Sequence, residues 1–259
     1  IKPPGDSIIY GNLKVNINLN LSNLENTSNL FSGANKLTKI PYIDVRNSKD
    51  VSYMFYNCSK VETIEGVDTS NAENFYGFME FCTVLKEIPP LNLSKATTLE
   101  EAFGYCESIT ELPAMDTAHI PNISYAICGN SNLETIHGLD FSSATNVKGN
   151  FSGCQKLKNI KITNIKIDLK VSDGSKSYPN EITAESLIGL CKECVNAGEA
   201  RTLTIGATNL ERIANVYFKL VNGTEIAVGE KGEVEVCEST DSGAMSISDY
   251  MTLKSWTLA

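Results

Sequence analysis

Cysteine and histidine are the residue types of this chain best suited to metal binding or redox chemistry, and its 259 residues include eight cysteines and two histidines. Four of the cysteines recur at one fixed spacing or at twice that spacing: Cys58, Cys82, Cys106 and Cys154. Ala34 and Asn130 fill the same position in two further units. A zinc site needs four ligands close together, and Cys58 has no histidine or second cysteine near it in the sequence. The spacing therefore indicates an internal repeat.

We predict that the repeated cysteines pack as small apolar side chains in a shared core. The alternative is a set of disulfides between neighbouring units, because adjacent strands lie about 4.8 Å apart and their Cα atoms come within disulfide reach. A regular ladder of such bonds would force side chains away from their preferred rotamers, which favours free thiols.

Cys191 and Cys194 form a C-K-E-C pair, a spacing seen in zinc sites and in redox sites. A redox pair opens a helix after a strand, whereas this pair lies inside a predicted helix, and a zinc site would need two more ligands. We predict core packing for both thiols. His119 and His137 lack the spacing of a metal site or a triad, and there is no G-x-S-x-G turn or phosphate-binding loop. The sequence predicts no catalytic residue, no metal and no cofactor.

An acid or its amide recurs at a second repeat position, which holds Asp44, Asp68, Asn92, Asp116 and Asp140. These side chains commonly accept a hydrogen bond from a backbone N–H two residues further on, which stabilises a turn. A calcium site is the alternative, although the other oxygen ligands that it would need are not evident in the sequence. We predict turn capping.

The 24-residue repeat keeps its register over six units without an insertion. Each unit has an extended half, L-x-x-I-x-x-[IL]-D, and a compact half that carries [MF]-x-x-C. The apolar positions are, in order, Phe31, Phe55, Met79, Phe103, Ile127, Phe151; Leu37, Val61, Leu85, Ile109, Leu133, Leu157; Ile40, Ile64, Ile88, Leu112, Ile136, Ile160; and Ile43, Val67, Leu91, Met115, Leu139. One unit cannot bury these side chains alone, so successive units must stack around one core.

The residues on either side of the inward isoleucine of the extended half should point outward. They include Lys39, His137 and three glutamates on successive units, Glu65, Glu87 and Glu111. We predict these five as ligand-binding residues around an acidic patch; a simple solvated face is the alternative. Exposed aromatic contacts on the compact half are a further alternative, from Tyr53, Tyr56, Tyr105 and Tyr125.

Composition limits the partners. The formal net charge is −9 and the pI is near 4.9, which argues against binding to nucleic acid or to an anionic membrane surface. No apolar run approaches the ~18 residues of a membrane span, so we expect no membrane insertion. The segment IKPPGDS lacks the basic start and apolar core of a signal peptide. The start at Ile1 suggests a processed or trimmed chain, from which an export signal could have been removed.

The segment MFYNCSKVETIEGVDTSNAEN resembles the BspA-like leucine-rich-repeat family of bacterial surface proteins, over about residues 12 to 163. The resemblance implies an α/β repeat fold, a leucine-rich-repeat solenoid of about six 24-residue coils with an α/β C-terminal cap. It divides the chain into a lead-in (1–11), the solenoid (12–170) and the cap (171–259). The segments ITAESLIGL, RTLTIGATNL and YMTLKSWTLA resemble a cap found on such proteins, many from anaerobic gut bacteria and some from their phages.

Within the cap we predict a helix at about 183–197, because apolar residues recur on one helical face. They are Leu187, Leu190, Cys191, Cys194 and Val195. A strand at about 201–205 is expected to extend the repeat sheet and close its end. An insertion at about 216–238 has strand-like alternation and the hairpin signal Asn222-Gly223.

The resemblance and the absence of catalytic motifs favour a non-catalytic binding or adhesion module, which presents a rigid face of the solenoid. Its expected partner is a protein or glycan on a host or neighbouring cell, and its expected location is extracellular or at the cell surface. The alternative is a phage virion component, structural or receptor-binding, located in the virion. An enzyme is the third hypothesis.

Overall fold

The structure is a computed structural model that describes residues 19–195, 198–221, 231, 234–242 and 244–259. The predicted lead-in at 1–11 and the Asn222-Gly223 turn lie outside the described residues. The strands of the repeat region are β1 (Leu19–Asn20), β2 (Lys39–Ile40), β3 (Ile43–Asp44), β4 (Thr63–Ile64), β5 (Val67–Asp68), β6 (Glu111–Leu112), β7 (Thr135–Asp140) and β8 (Asn159–Thr163). The C-terminal region comprises β9 (Leu169–Lys170), α1 (Ala184–Glu193), β10 (Arg201–Thr204), α2 (Ala207–Ile213), β11 (Tyr217–Leu220), β12 (Val234–Cys237), β13 (Met245–Ser246), α3 (Ile247–Leu253) and β14 (Trp256–Leu258).

Successive repeat units lie side by side and pair in parallel. In the extended halves the sheets have the strand orders β1-β3-β5, β2-β4 and β6-β7-β8. In the compact halves a chain of single parallel bridges links the residues Asn26, Asp50, Asn74, Thr98, Asn122 and Asn146. Each bridge joins residues that are one repeat unit apart, so the sequence repeat and the spatial repeat coincide.

The strand ladder is interrupted at the unit that follows β4. This unit carries Pro89 and Pro90, and proline has no N–H to donate to a neighbouring strand. The next unit has Pro113 after β6. Two side chains that the repeat predicts to be buried, Leu91 and Met115, are only partly buried here. They line a mainly apolar concavity of about 340 Å³ together with the three prolines.

The other predicted apolar positions form one core. The first position is buried in all six units, from Phe31 to Phe151, and so are the second and third. The phenylalanines contact each other between units; the rings of Phe31 and Phe55, for example, stack with centroids 5.5 Å apart. The core therefore runs through the stack without a break.

The repeated cysteines are buried, and all eight cysteines of the chain are free, which confirms the prediction of packed thiols. Each repeated thiol also donates a hydrogen bond to the carbonyl oxygen at the phenylalanine position of the preceding unit. The pairs are Cys58 to Phe31 (3.1 Å), Cys82 to Phe55 (3.2 Å), Cys106 to Met79 (3.2 Å) and Cys154 to Ile127 (3.2 Å). Asn130 makes the same bond with its Nδ2, to Phe103 (3.1 Å). The position thus holds a small buried donor in five of the six units, and alanine in the first.

Turn capping by the acid position is confirmed in four units. A side-chain oxygen accepts from the backbone N–H two residues on at Asp44, Asp68, Asn92 and Asp140. Asp116 departs from this pattern and lies 4.0 Å from the His119 ring. The compact half has a second ladder of the same kind that the sequence analysis missed, at Asn26, Asp50, Asn74, Thr98, Asn122 and Asn146.

Helix α1 covers the end of the stack. Its N-cap is Thr183, whose Oγ1 accepts from the Ser186 N–H (3.3 Å), and the Ser186 hydroxyl accepts from the backbone N–H of Ile160 (2.9 Å). The five predicted inward residues of the helix are buried. The helix ends at Glu193, not near 197, and Cys194 is its C-cap.

Two side chains from the C-terminus fix the end of α1. Lys254 is fully buried, and its Nζ donates to the carbonyl oxygens of Cys191 (3.3 Å) and Lys192 (3.1 Å). Burial lowers the pKa of this lysine to about 8. The Trp256 Nε1–H donates to the carbonyl oxygen of Val195 (2.8 Å). The lysine thus satisfies carbonyls that a helix leaves open at its C-terminus, and the tryptophan holds the residue after the C-cap.

The expected extension of the repeat sheet by the strand at 201–205 is wrong. Strand β10 lies in a separate parallel sheet with the order β14-β10-β9, because β9 and the C-terminal β14 occupy both of its edges. In the region of the predicted insertion, β11 pairs antiparallel with β12 on one side and with β13 on the other.

Candidate functional site

The predicted site residues on the extended half form two separate ion pairs. The Lys39 Nζ lies 2.6 Å from Glu65 Oε1, and the His137 Nε2 lies 2.9 Å from Glu111 Oε2. The Lys39 ammonium group donates a hydrogen bond to the Glu65 carboxylate and thereby lowers the pKa of that carboxyl. Glu87 is exposed, and the described residues place no cation within ion-pair distance of it. The structure therefore places Lys39 against Glu65 and His137 against Glu111, and leaves Glu87 apart from both pairs.

The compact half differs from the extended half in its backbone. Two positions of each unit have a left-handed φ, between +53° and +83°: residues 29, 53, 77, 101, 125 and 149, and residues 33, 57, 81, 105, 129 and 153. Glycine or asparagine is the expected occupant of such a position. Four of them hold aromatic residues instead: Tyr53, Phe81, Tyr105 and Tyr125.

Three of these tyrosines lie directly against a glycine of the next unit. A Cβ atom added at Gly77 would be 2.5 Å from the Tyr53 ring, one at Gly129 would be 2.3 Å from the Tyr105 ring, and one at Gly149 would be 2.1 Å from the Tyr125 ring. The two members of each pair are one repeat unit apart, so the glycine makes the room that the ring occupies. Each ring is therefore held in place by the unit after it.

The aromatic residues of the compact half form a continuous surface, which we call the aromatic ridge: Tyr53, Tyr56, Tyr76, Phe81 and Tyr105. Ring centroids are 5.3 Å apart for Tyr53 and Tyr56, 4.9 Å for Tyr53 and Tyr76, and 5.7 Å for Tyr56 and Phe81. Phe81 and Tyr105 stack at 4.6 Å. Tyr105 is 39 % exposed and the other four are partly exposed.

A buried carboxyl lies next to the aromatic ridge. Glu80 is 8 % exposed, and its Cγ and the Cys128 Sγ lie on the same side of Gly104, 3.5 and 3.4 Å from where a Cβ of that glycine would be. Burial, and then the charge of Glu101, raise the pKa of Glu80 to about 7. Burial also raises the pKa of the Cys128 thiol, to about 11, and Glu80 contributes to that rise.

A cleft of about 840 Å³ lies where the last repeats meet the cap, and we call it the junction cleft. Tyr125 and residues 145–149 line it from the repeats. Residues 167–170, which follow the last repeat, line it together with Tyr178 and strand β10 from the C-terminal region. Its volume is within the range of about 300–1,000 Å³ that is usual for small-molecule sites. No repeat position or motif in the sequence predicts this cleft.

Cys191 and Cys194 are buried, and burial raises the pKa of both thiols, that of Cys191 to about 12. In the part of the chain that the structure describes, no group of three or more His, Cys, Asp or Glu residues could hold a metal ion. Within the same residues, no helix has the length and apolar character that crossing a membrane requires.

The family comparison matches the repeats. The chain matches the family described as "Mycoplasma protein of unknown function, DUF285" over residues 10–114 and 97–177, which together exceed half of its length. The chain belongs to this family. Searches of curated proteins and of solved structures found no match.

The DUF285 match is consistent with the resemblance to BspA-like surface repeat proteins. It contains the ion pairs of the extended half and the whole aromatic ridge. It also contains the repeat side of the junction cleft and ends at residue 177, so that β10 on the other wall lies beyond it.

Proposed function

We propose that this DUF285 chain is a non-catalytic binding module of a surface protein, in which a leucine-rich-repeat solenoid presents the aromatic ridge to a glycan or protein on another cell. The observation that carries the proposal is the ridge itself, a row of five contacting aromatic side chains that all remain partly open to solvent. On this proposal the module works outside the cell or at its surface.

The ridge is suited to binding because its rings are already ordered. Tyr53 and Tyr105 are fixed against Gly77 and Gly129, so a ligand would not have to immobilise them. Ordering a flexible side chain on binding typically costs about 0.5–1.5 kcal/mol. Tyrosine also offers an apolar face for a sugar ring or an apolar side chain, together with a hydroxyl for hydrogen bonds.

The extended half is less suited to this role. Its ion pairs, Lys39 with Glu65 and His137 with Glu111, are well exposed. A ligand that covered them would remove charged groups from water and would have to replace that solvation. Of the three predicted glutamates, Glu87 has no lysine, arginine or histidine within ion-pair distance among the described residues. We therefore propose that the compact half is the primary binding surface. Substitutions on the extended half serve as the control.

The test is a binding screen of the purified chain against immobilised glycans, host matrix proteins and bacterial surface extracts. Tyr105→Asn removes the most exposed ring of the ridge, and asparagine already occupies the same repeat position at Asn57 with φ +53°. We expect this variant to lose affinity by roughly tenfold or more, as for an aromatic residue at the centre of an interface. The matched control is the triple variant Glu65→Gln, Glu87→Gln and Glu111→Gln, which we expect to bind like the wild type.

The outcomes separate the two faces. Loss of binding in the triple variant, with Tyr105→Asn unaffected, would move the site to the extended half and refute the ridge. If the wild type bound none of the tested surfaces, the binding function itself would be refuted, and the virion-structural role would become the better hypothesis.

A further inference from the structure

The junction cleft concentrates positive charge in a chain whose formal net charge is −9. Three of its lining residues are cations, Lys148, Lys170 and Arg201, and one is an acid, Asp168. The acid already has a partner, since its Oδ1 accepts from the backbone N–H of Thr202 (2.6 Å). Among the residues that line the cleft, cations thus outnumber acids by three to one, and two of these cations pair with acids outside the lining.

The cations differ in how far they are compensated. Lys170 lies 3.3 Å from Asp173, and Arg201 pairs with Glu199 through its terminal nitrogen. The Arg201 Nε–H, in contrast, is buried and has no hydrogen-bond partner among the described residues. Lys148 is exposed, and no carboxylate in the described part of the chain is within ion-pair distance of it.

An unpartnered buried donor costs free energy unless a ligand or water satisfies it. An N–H donor and an ammonium group that line the same cleft are together suited to a carboxylate, which accepts hydrogen bonds at both oxygens. The charge and the donors of the junction cleft therefore favour an anionic group.

Aromatic rings stand at both sides of the same cleft. Tyr125 has a left-handed φ of +54°, lies on Gly149 and occupies the same repeat position as Tyr53 of the ridge. Tyr178 lies on the cap side, with the Lys170 Nζ 5.4 Å from its ring centroid. Thr145, Asn146 and Thr204 add hydroxyl and amide groups to the lining. Rings beside hydroxyl and amide groups suit a sugar, which has apolar faces and many hydroxyls.

We infer that the junction cleft binds an acidic sugar, whose carboxylate lies between Lys148 and Arg201 and whose ring packs on Tyr125. This inference rests on the proposed binding function and specifies the ligand class for one end of the same compact half. A long polyanion is disfavoured, because the rest of the chain is acidic and would repel it. A short acidic peptide would meet the cations but has no sugar ring to pack on Tyr125.

The experiment is calorimetric titration of the full chain with two acidic oligosaccharides, 3′-sialyllactose and trigalacturonate. Their uncharged counterparts, lactose and galactotriose, and a tetraglutamate peptide are titrated in parallel. We expect at least one acidic sugar to bind at least tenfold more tightly than its neutral counterpart and than the peptide. Tighter binding of the peptide would replace the acidic sugar by an acidic protein segment, and binding of neither acidic sugar would overturn the inference.

Variants locate the site. Lys148→Gln removes the uncompensated cation from an exposed position, so the fold should be preserved, and we expect a five- to tenfold loss of affinity for the acidic sugar only. Lys36→Gln, exposed near the other end of the stack, is the matched control and should bind like the wild type. Equal affinity of Lys148→Gln and the wild type would place the anion elsewhere and refute the cleft.

The result is separable from the test of the aromatic ridge. If the chain binds surfaces in the screen but does not distinguish acidic from neutral sugars, the binding function stands and the inference about the cleft fails. If acidic sugars bind and Tyr105→Asn has no effect on any ligand, the cleft stands and the ridge fails.

Discussion

Replacement of Glu80 by glutamine should stabilise the protein at alkaline pH and leave it almost unchanged in acid. The carboxyl is buried beside the aromatic ridge, and burial together with the charge of Glu101 raises its pKa from 4.5 to about 7. The folded state therefore favours the protonated form. The stabilisation that this form provides is fully present below about pH 4.5 and is lost as the pH rises through about 7.

The size of the effect follows from the rise in the pKa. The rise from 4.5 to about 7 corresponds to about 3 kcal/mol, since each pKa unit is worth about 1.36 kcal/mol. The carboxyl retains some contact with solvent, so we expect about 2 kcal/mol at pH 8.5. Glutamine has nearly the same shape and cannot ionise, and the Glu80→Gln variant avoids this cost.

The assay is urea unfolding, followed by circular dichroism, of the wild type and Glu80→Gln at pH 4.5 and pH 8.5. We expect the variant to unfold at a higher urea concentration at pH 8.5 and at nearly the same concentration at pH 4.5. Glu107→Gln, at an exposed position in the next repeat unit, is the control and should show no such difference. An equal gain at both pH values, or no gain at pH 8.5, would refute the role assigned to burial.

Two further substitutions test the packing. Gly129→Ala adds a Cβ 2.3 Å from the Tyr105 ring at a φ of +74°; we expect a loss of about 2–3 kcal/mol in thermal unfolding, partly restored in a double variant with Tyr105→Asn. Strict additivity of the two changes would contradict the contact. Trp256→Phe removes the hydrogen bond to the Val195 carbonyl, and we expect a loss of about 1–2 kcal/mol and faster proteolysis of the cap. An unchanged cleavage rate would argue against that bond as the closure of α1.

The repeated features were predictable because each of them recurs in several units of the sequence. Six units agree on the burial of the phenylalanine and cysteine positions, and the acid position repeats its own turn. The hydrogen bond from each thiol was not predicted. Asn130 at the same repeat position indicates it, because an asparagine side chain can replace a hydrogen-bond donor but is a poor substitute for an apolar group. The bond spans one repeat unit plus three positions, which is the reach to the phenylalanine position.

The sequence also contains a pattern that indicates the ion pairs of the extended half, namely the separation of the paired residues. Lys39 and Glu65 are separated by one repeat unit plus two positions, and so are Glu111 and His137. Residues at that offset are diagonal neighbours on the outer face, and opposite charges there meet. The three glutamates by themselves predict an acidic patch, because that pattern leaves out the residues at the diagonal offset.

The junction cleft and the end of α1 could not be predicted from local patterns. Tyr125 and Arg201 line one cleft although they lie far apart in the sequence. Helix α1 ends where Lys254 and Trp256 contact it, from the last few residues of the chain. Such contacts depend on how the cap docks, and neither periodicity nor propensity contains that information.

The chain of bridges from Asn26 to Asn146 makes the length of the molecule adjustable. Every unit contacts the unit before it and the unit after it, and the helix of the cap recognises the backbone of the last unit through Ile160 and Lys158. Gain or loss of one whole unit would keep all of these contacts and would move the cap by about 4.8 Å, the spacing of adjacent strands. Duplication of one unit in the gene would therefore increase the distance between the two ends of the protein without a change in the sequence of either end.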